Sequence, residues 1–327
     1  MDIQIRNNER ILNDLGDYGD AEFTVAKMPL TRPNVIEHTL LTNGIVTNGN
    51  MKTVDTHVAL VRKDTNQQLS IVGSKYRPVT HQEAFKTAED VIMRADLNLE
   101  GVTRQTAVSH GGARAYSTWT LPEHRVTLRK DDDVALQISA RNSYDGSWSF
   151  VVEVGGYRFI CLNMQVFANN FAIHKSKHTQ GLNLNRIASR LSDAIMFYDA
   201  ETELWKEMVD TKVTDREAMS VFAHLANSKS AQAHVKDGSK TMYDILYEPD
   251  VIRNKTLQNL YSSYWFQNKR YLDRTAWALY NSMTEWATHE TPRKRTSVSN
   301  IASIRVDRLD KVRKTLNKMM LPMLKVA

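Results

Sequence analysis

The chain has 327 residues, 42% of them hydrophobic and 24% charged, a composition that excludes collagen-like, fibrous and disordered proteins. One cysteine, Cys161, excludes an intrachain disulfide, and neither a leader peptide nor an apolar run of about 20 residues is visible, so we expect a cytoplasmic, non-membrane protein. The net charge of +6 is carried by residues 285–327, where ten basic side chains outnumber four acidic ones.

The N-terminal region, residues 1–22, holds six acidic side chains and little apolar pattern, which predicts an acidic arm with one short helix. Farther along, His57–Arg62 and Gln68–Val72 are apolar runs on either side of a polar turn, and they predict a β-hairpin. A helix is expected to begin after Thr80, because the Thr80 hydroxyl can cap it and Glu83 completes a capping box.

Between residues 101 and 163, short apolar runs alternate with turn residues, which predicts antiparallel strands. The strands expected there are Val102–Ser109, Ala113–Leu121, Val134–Ala140, Ser147–Val154 and Tyr157–Leu162. Turns are expected at Asp145-Gly146 and Gly155-Gly156, and the acidic run Asp131–Asp133 predicts a solvated loop. Past residue 185, apolar residues recur every three or four positions, which predicts helices.

These patterns together predict an α+β fold, with a mainly antiparallel sheet and a packed helix, followed by an all-helical C-terminal region. We expect an acidic N-terminal arm over 1–22, an antiparallel β-rich α+β domain over 23–180, and a helical domain over 181–327. The helical domain is predicted to end in the basic helix that carries the excess charge.

Six blocks stand out along the chain: Phe23–Leu30, Val61–Phe85, Arg141–Ser147, Arg158–Asn163, His178–Thr179 and Trp277–His289. In this order they resemble an uncharacterised family of phage/plasmid-like proteins, catalogued as a domain of unknown function in the nine-hundreds series. The resemblance implies a phage or mobile-element origin, a location in the host cytoplasm and no particular activity. It also identifies nine family-motif residues: Asp145, Gly146, Cys161, Asn163, His178, Trp277, Asn281, Glu285 and His289.

The predicted order of helices and strands between residues 80 and 208 is similar, at the level of fold, to phage single-strand annealing proteins of the eukaryotic Rad type. Their core sets a helix beside an antiparallel sheet with a basic groove. This looser resemblance implies binding of single-stranded DNA.

A cluster of polar residues lies at one predicted strand end. Arg141, Asn142 and Ser143 could hold a phosphate there. Arg158 lies on the next predicted strand, and paired strands would turn both guanidiniums to one surface. The alternative is a structural hairpin turn around Asp145.

Two further segments could contact a nucleic acid. Tyr76 lies between Lys75 and Arg77 and could stack on a base, and the alternative is that it anchors the core. Lys175 and Lys177 predict a basic loop that contacts phosphate.

Cys161 is a candidate nucleophile, with His174 or His178 as its base. Its apolar neighbours favour a buried strand, so we assign no catalytic residue. The two histidines lack the further ligands that a zinc site needs, so neither a metal nor another cofactor is expected.

Aromatic residues are concentrated between Tyr261 and Tyr280, among several cations. Such mixtures bind single strands by stacking on bases, although helical bundles also bury aromatic rings. Trp277, Asn281 and His289 share a polar helix face that fits either a ligand site or a subunit contact.

The C-terminal segment offers a second way to bind a nucleic acid. Arg308, Lys311 and Lys314 follow one another at helical spacing, an arrangement typical of proteins that bind phosphate backbones. A solvated helix face gives the same pattern.

The leading hypothesis is a phage-type intracellular protein that binds single-stranded DNA in recombination or replication, and that works as a homo-oligomer. Strand annealing is one form of this role, and it needs charge neutralisation and base presentation rather than catalytic residues, so we do not expect an enzyme. Two alternatives stay open: a host-interaction or anti-defence protein without enzymatic activity, and a nucleotide-processing enzyme.

Overall fold

A computed structural model describes residues 2–33, 40–41, 44–45, 51–94, 97–159, 163–166, 173–176, 198–268, 272–291 and 300–324. Antiparallel sheets occupy the first half of the described chain and helices the second, which confirms the predicted α+β class. The predicted domain boundary after residue 180 lies outside the described residues and stays a prediction.

The N-terminal part forms a helix and a three-stranded antiparallel sheet. Its elements are α1 (Asp2–Asp14), β1 (Val25–Pro33), β2 (Leu40–Leu41), β3 (Gly44–Ile45), β4 (Met51–Arg62) and β5 (Gln68–Gly73). The sheet has the order β1-β4-β5, and β2 pairs with β3. The β4–β5 pair confirms the predicted hairpin, since His57 lies opposite Gly73.

Helix α2 (His81–Arg94) begins where the sequence predicts. The Glu83 amide donates to Thr80 Oγ1 at 3.0 Å, and the Thr80 amide donates to a Glu83 carboxylate oxygen at 2.8 Å. These two bonds form the predicted capping box, which satisfies amides that the first helical turn leaves without intrahelical partners.

A six-stranded sheet follows α2. Its strands are β6 (Thr103–Ser109), β7 (Arg114–Arg129), β8 (Asp132–Ser143), β9 (Phe150–Arg158), β10 (Asn163–Val166) and β11 (Ile173–Ser176). The order is β10-β9-β8-β7-β6, with β11 also paired to β9, and every pair is antiparallel.

The expected turn at Gly155-Gly156 is wrong, because β9 runs straight through both residues. Gly156 faces the Trp205 ring, and a Cβ at this position would lie 2.6 Å from that ring and from Val134. Gly156 therefore makes room for a buried indole against the sheet, and neither glycine reverses the chain.

The expected solvated loop over Asp131–Asp133 is also wrong for most of its length. The chain turns at Asp131, whose φ is 62°, and β8 begins at the next residue. Asp132 is only 3% exposed, so an acidic run that resembles a surface loop hides a buried carboxylate.

The rest of the described chain is helical, as predicted. The helices are α3 (Tyr198–Asp210), α4 (Asp215–Leu225), α5 (Lys229–Asp237), α6 (Met242–Tyr247), α7 (Lys255–Ser262), α8 (Ala276–His289), α9 (Ile301–Thr315) and α10 (Leu321–Leu324). Two π-helical segments, Ser263–Asn268 and Leu316–Met320, continue α7 and α9. None of the helices in the described ranges is both long and apolar enough to cross a membrane.

The two faces of the six-stranded sheet meet different helices. On one face, Phe85 of α2 contacts Trp119 with ring centroids 6.4 Å apart, and α3 packs Trp205 against β9. On the opposite face, Arg141 and Glu153 meet α9. One cluster of buried side chains joins the sheet to the helical region.

Candidate nucleic-acid interface

The predicted phosphate ligand Arg141 is buried between the sheet and α9. Its Nη2 donates to both carboxylate oxygens of Asp310, at 3.0 and 2.8 Å. Arg313 links Asp310 to Glu153 with contacts of 3.0 and 2.9 Å. This network, with two cations and two carboxylates, holds α9 on the sheet, so Arg141 acts within the fold.

Arg158 is buried in a second network on the other face of the sheet. It pairs with both carboxylate oxygens of Asp132, the Nη2 contact being 2.7 Å, and its Nη1 donates to Asn281 Oδ1 at 3.1 Å. The Trp277 indole also donates to Asp132, at 3.1 Å. Side chains of β8, β9 and α8 therefore meet around one buried ion pair.

The expectation that both guanidiniums face one surface is wrong. Arg158 lies opposite Val134 in the β8–β9 register. Because side chains alternate between the faces of a strand, Arg141, an odd number of positions after Val134, points to the opposite face. The two arginines thus join different helices to the sheet.

The polar residues after Arg141 make the contacts of a structural turn. Asn142 Nδ2 donates to the Val79 carbonyl at 2.9 Å, and the Ser143 hydroxyl donates to the Trp148 carbonyl at 2.9 Å. Asp145 accepts from Arg114 at 2.7 Å, and Gly146 has a φ of 72°. These contacts favour the turn interpretation over a phosphate site.

The Lys75–Arg77 segment is divided between the fold and the surface. Tyr76 is half-buried and donates from its hydroxyl to the Ser143 carbonyl at 2.9 Å, and burial raises its pKa. Lys75 and Arg77 on either side are exposed. Tyr76 therefore anchors this loop, and the two cations stay candidates for a phosphate contact.

Several predicted residues have no described side chain. Cys161, Lys177 and His178 lie outside the described residues. Asn163 begins β10 opposite Arg158, and Lys175 lies in β11 opposite Val151.

The family-motif residues of α8 divide between the interior and the surface. Trp277 and Asn281 are fully buried beside the Asp132–Arg158 pair. Glu285 and His289, farther along the helix, line a surface cleft.

The basic side chains of the C-terminal helix α9 also divide between the interior and the surface. Arg308 Nη1 donates to the carbonyls of Trp286 and Glu290, at 3.2 and 2.6 Å, and its guanidinium lies 4.9 Å from the Trp286 ring centroid. Burial lowers the pKa of Arg308. Lys311 and Lys314 are exposed. Arg308 therefore secures the end of α8, and the two lysines remain candidates for phosphate contacts.

An open groove with a volume of about 580 Å³ lies between α6, α7 and the π-helical segment Ser263–Asn268. We call it the aromatic groove; its lining residues are Asp215, Thr241, Met242, Tyr243, Leu246, Tyr247, Gln258, Tyr261, Ser262, Trp265 and Phe266. Three of its rings are well exposed: Tyr243 by 58%, Tyr247 by 59% and Phe266 by 66%. Large apolar side chains this exposed on one surface are typical of an interaction site.

The rings of the groove are arranged in pairs. Tyr243 and Tyr247 have centroids 4.6 Å apart, and Tyr261 and Trp265 are nearly parallel, with centroids 5.7 Å apart and planes at 15°. Tyr243 and Tyr247 are separated by one turn of α6, a helix that begins with a Thr241 capping box. Neither tyrosine was predicted as a site residue, although their spacing on a capped helix is visible in the sequence.

The predicted aromatic cluster at 261–280 is part core and part surface. Tyr264, Trp277 and Tyr280 are fully buried, as the core interpretation predicts. Trp265 and Phe266 instead line the groove. The core interpretation thus holds for the three buried rings, while Trp265 and Phe266 stay candidates for stacking on a ligand.

The charges around the groove nearly balance among the described residues. Arg274 Nη1 lies 3.8 Å from Asp215 Oδ2, and Lys240 pairs with Glu248 at 2.6 Å. Burial, followed by the nearby Asp215 and two tyrosines, raises the pKa of Tyr261, so its ring stays neutral at physiological pH. The groove is therefore suited to stacking more than to charge attraction.

A second, smaller cleft of about 260 Å³ lies between α7 and α8. We call it the polar cleft; its lining residues are Asn259, Ser262, Ser263, Glu285, Trp286, His289 and Glu290. The Ser263 hydroxyl donates to Glu285 Oε2 at 2.5 Å, and burial raises the pKa of Glu290. Ser262 lines the groove and the cleft, so the two are adjacent.

Within the described part of the chain, His234, Glu248 and Asp250 bring possible metal-ligand atoms within 4.8 Å of one another. Lys240 already pairs with Glu248 at 2.6 Å, and His234 Nε2 lies 3.3 Å from Asp250. These contacts engage the side chains of all three residues with neighbouring groups.

A family model described as Domain of unknown function (DUF932) matches residues 68–313, which is most of the chain. No curated protein and no solved structure matches the chain. The aromatic groove and the polar cleft both lie within the range that the family model covers.

Proposed function

The chain belongs to the DUF932 family, and from that premise we propose that it binds single-stranded DNA in phage-type recombination or replication. The family assignment agrees with the sequence resemblance and names no activity. The proposal therefore depends on the surface of the protein.

One observation carries the proposal: Tyr243, Tyr247 and Phe266 are each more than half exposed on a single groove. Single-strand binding proteins use such rings as platforms for successive bases, and each stacked base contributes about 1–3 kcal/mol. Because every base has a π-face, this mode of binding tolerates any sequence, as annealing requires.

The exposed lysines supply the second component. Lys311 and Lys314 point from α9 into solvent, while Arg141, Arg158 and Arg308 are engaged inside the fold. We thus assign the neutralisation of phosphate charge to Lys311 and Lys314, which are fewer cations than the net charge suggests. One groove of this size holds few nucleotides, so we propose that several copies of the chain coat a strand as a homo-oligomer.

The direct test is equilibrium binding of a fluorescent strand of about 40 nucleotides, long enough for several sites, beside its duplex. The variant is Tyr243→Ala, Tyr247→Ala and Phe266→Ala combined. We expect the wild type to prefer the single strand and the variant to bind it at least about 100-fold more weakly, because three stacking platforms are lost.

A matched control replaces three other exposed apolar residues: Met28 on β1, Ile71 on β5 and Phe159 directly after β9. This control should bind like the wild type. Equal loss in both triple variants, or equal affinity of the wild type for single and double strands, would contradict the proposal.

A further inference from the structure

The polar cleft continues the surface on which we propose that the strand lies. The segment from α7 into the π-helix separates the two sites: Trp265 faces the aromatic groove, Ser263 faces the cleft and Ser262 contacts both. A strand stacked in the groove therefore passes within reach of the cleft. At about 260 Å³ the cleft is smaller than the 300–1,000 Å³ typical of pockets for drug-sized ligands, which suits a single base.

Two buried polar atoms on residues that line this cleft have no hydrogen-bond partner among the described residues. One is the indole Nε1 of Trp286, a residue that is only 6% exposed, and the other is Glu290 Oε2. Leaving a buried donor or acceptor unsatisfied costs about 1–3 kcal/mol, so native proteins pair nearly all of them. Because both residues line the same cleft, a ligand that carries an acceptor and a donor would satisfy both atoms.

Both groups are held in place by their neighbours. Arg308 lies against the Trp286 ring and donates to the backbone carbonyls of Trp286 and Glu290, while the Asn259 side chain hydrogen-bonds the Glu290 carboxyl group. Ser263 in turn orients Glu285. The cleft is thus a preorganised set of carboxylate acceptors with one indole donor.

We propose that the polar cleft binds a guanine base, with the Glu290 carboxylate accepting from guanine N1–H and N2–H₂ and Trp286 Nε1 donating to O6. This inference rests on the proposed binding of single strands and names the base that the strand inserts. An ionised carboxylate only accepts hydrogen bonds, so it matches two adjacent donors. Among the bases, guanine alone presents two adjacent N–H donors beside an acceptor.

The other bases place an acceptor against the carboxylate. Adenine and cytosine each pair one amino donor with a ring-nitrogen acceptor, and thymine flanks its single N–H with two carbonyls. Sites built to satisfy particular hydrogen bonds reject ligands that leave buried groups unpaired. We therefore expect guanine to bind at least about tenfold more tightly than each other base, the factor that corresponds to about 1.4 kcal/mol.

The test follows the tryptophan indole N–H signals of the ¹⁵N-labelled full chain by NMR while guanosine, adenosine, cytidine or thymidine is added. The Trp286 signal is assigned by its absence in Trp286→Phe, which keeps an aromatic ring and removes the donor. Guanosine should shift the Trp286 signal saturably. The other nucleosides should need at least about tenfold higher concentrations to produce the same shift.

Glu290→Gln keeps the side-chain volume but offers one acceptor and one donor, so it should weaken guanosine binding at least about tenfold. Glu203→Gln, on the exposed face of α3, is the matched control and should bind like the wild type. An unchanged Trp286 signal with guanosine, or equal shifts with all four nucleosides, would overturn the proposal.

Binding of oligonucleotides separates this proposal from the function itself. If single strands bind but guanosine leaves Trp286 unchanged, the cleft assignment fails and the proposed function stands. If guanosine binds and single strands do not, the cleft assignment stands and the proposed function fails. A variant that lacks the three groove rings should lose oligonucleotide binding and keep its response to guanosine.

Discussion

The sheet with α9 and the helices around the aromatic groove use their residues in opposite ways. At the sheet, cations that resemble phosphate ligands in the sequence are buried in ion pairs, as Arg141 and Arg158 show. At the groove, rings that resemble core residues are exposed, as Phe266 shows. Residue type therefore indicates the available chemistry, and position in the fold decides whether it acts inside the protein or on a ligand.

Removing the buried carboxylate of Asp132 should destabilise the protein more than any other change considered for the sheet or the groove. Asp132→Ala leaves the Arg158 guanidinium buried without its counter-charge, so we expect it to lower the free energy of unfolding by about 3–5 kcal/mol. Urea denaturation measures this loss. Asp133→Ala is the control, because Asp133 is partly exposed and lies 4.0 Å from Arg125, and it should cost less than about 1 kcal/mol. Equal losses would show that the Asp132–Arg158 pair does not stabilise the fold as we argue.

The second buried network, which contains Glu153 and Arg313, can be tested by measuring stability as a function of pH. Burial alone would raise the pKa of Glu153, but Arg313 and Arg141 together with the Ser139 hydroxyl hold it below its ordinary value of 4.5. A carboxyl group with a depressed folded-state pKa stabilises the protein above the unfolded-state pKa, and this contribution is lost as pH falls through the folded-state value.

We therefore expect the free energy of unfolding to decline as pH falls below about 4.5, by about 1.4 kcal/mol for each unit by which the pKa is depressed. Glu153→Gln should be less stable at neutral pH and should show a shallower decline. Glu203→Gln, a change in an exposed ion pair, should keep the wild-type slope. Denaturation at a series of pH values distinguishes these curves, and parallel curves for the wild type and Glu153→Gln would contradict the assignment.

A single ring tests the opposite side of the comparison. Phe266→Ala removes an exposed side chain, so stability should change by less than about 0.5 kcal/mol, while single-strand affinity should fall by about 1–3 kcal/mol. Phe159→Ala, the same change directly after β9, should alter neither quantity by as much as 1 kcal/mol. Loss of stability without loss of binding would make Phe266 a structural residue.

Local features of the fold could be predicted from the sequence, whereas features set by distant contacts could not. The Thr80–Glu83 capping box spans one helical turn and was predicted correctly. Asp132 was assigned to a solvated loop because its neighbours are acidic, and its partner Arg158 is remote in sequence. A charge pair of this kind is visible only once the strand register is known.

The candidate site could be predicted in outline only. The concentration of aromatic rings near Tyr261 is visible in the sequence, but which of them point outward depends on how α7 continues into the π-helix. Tyr243 was not singled out, and of the residues that line the polar cleft only Glu285 and His289 were, because the groove and the cleft depend on where α6 and α8 pack beside α7.

The smallest expected effect concerns the exposed lysines of α9. For single strands, the logarithm of the binding constant falls with the logarithm of salt concentration by about 0.7 for each phosphate contact, so Lys311→Ala with Lys314→Ala should reduce that slope by about 1.4. The control Lys86→Ala with Lys206→Ala removes the same charge from α2 and α3, where both side chains are exposed. If both double variants change the slope equally, the net charge of the protein rather than the face of α9 attracts the strand. If only the α9 variant changes it, the phosphate backbone runs along that helix.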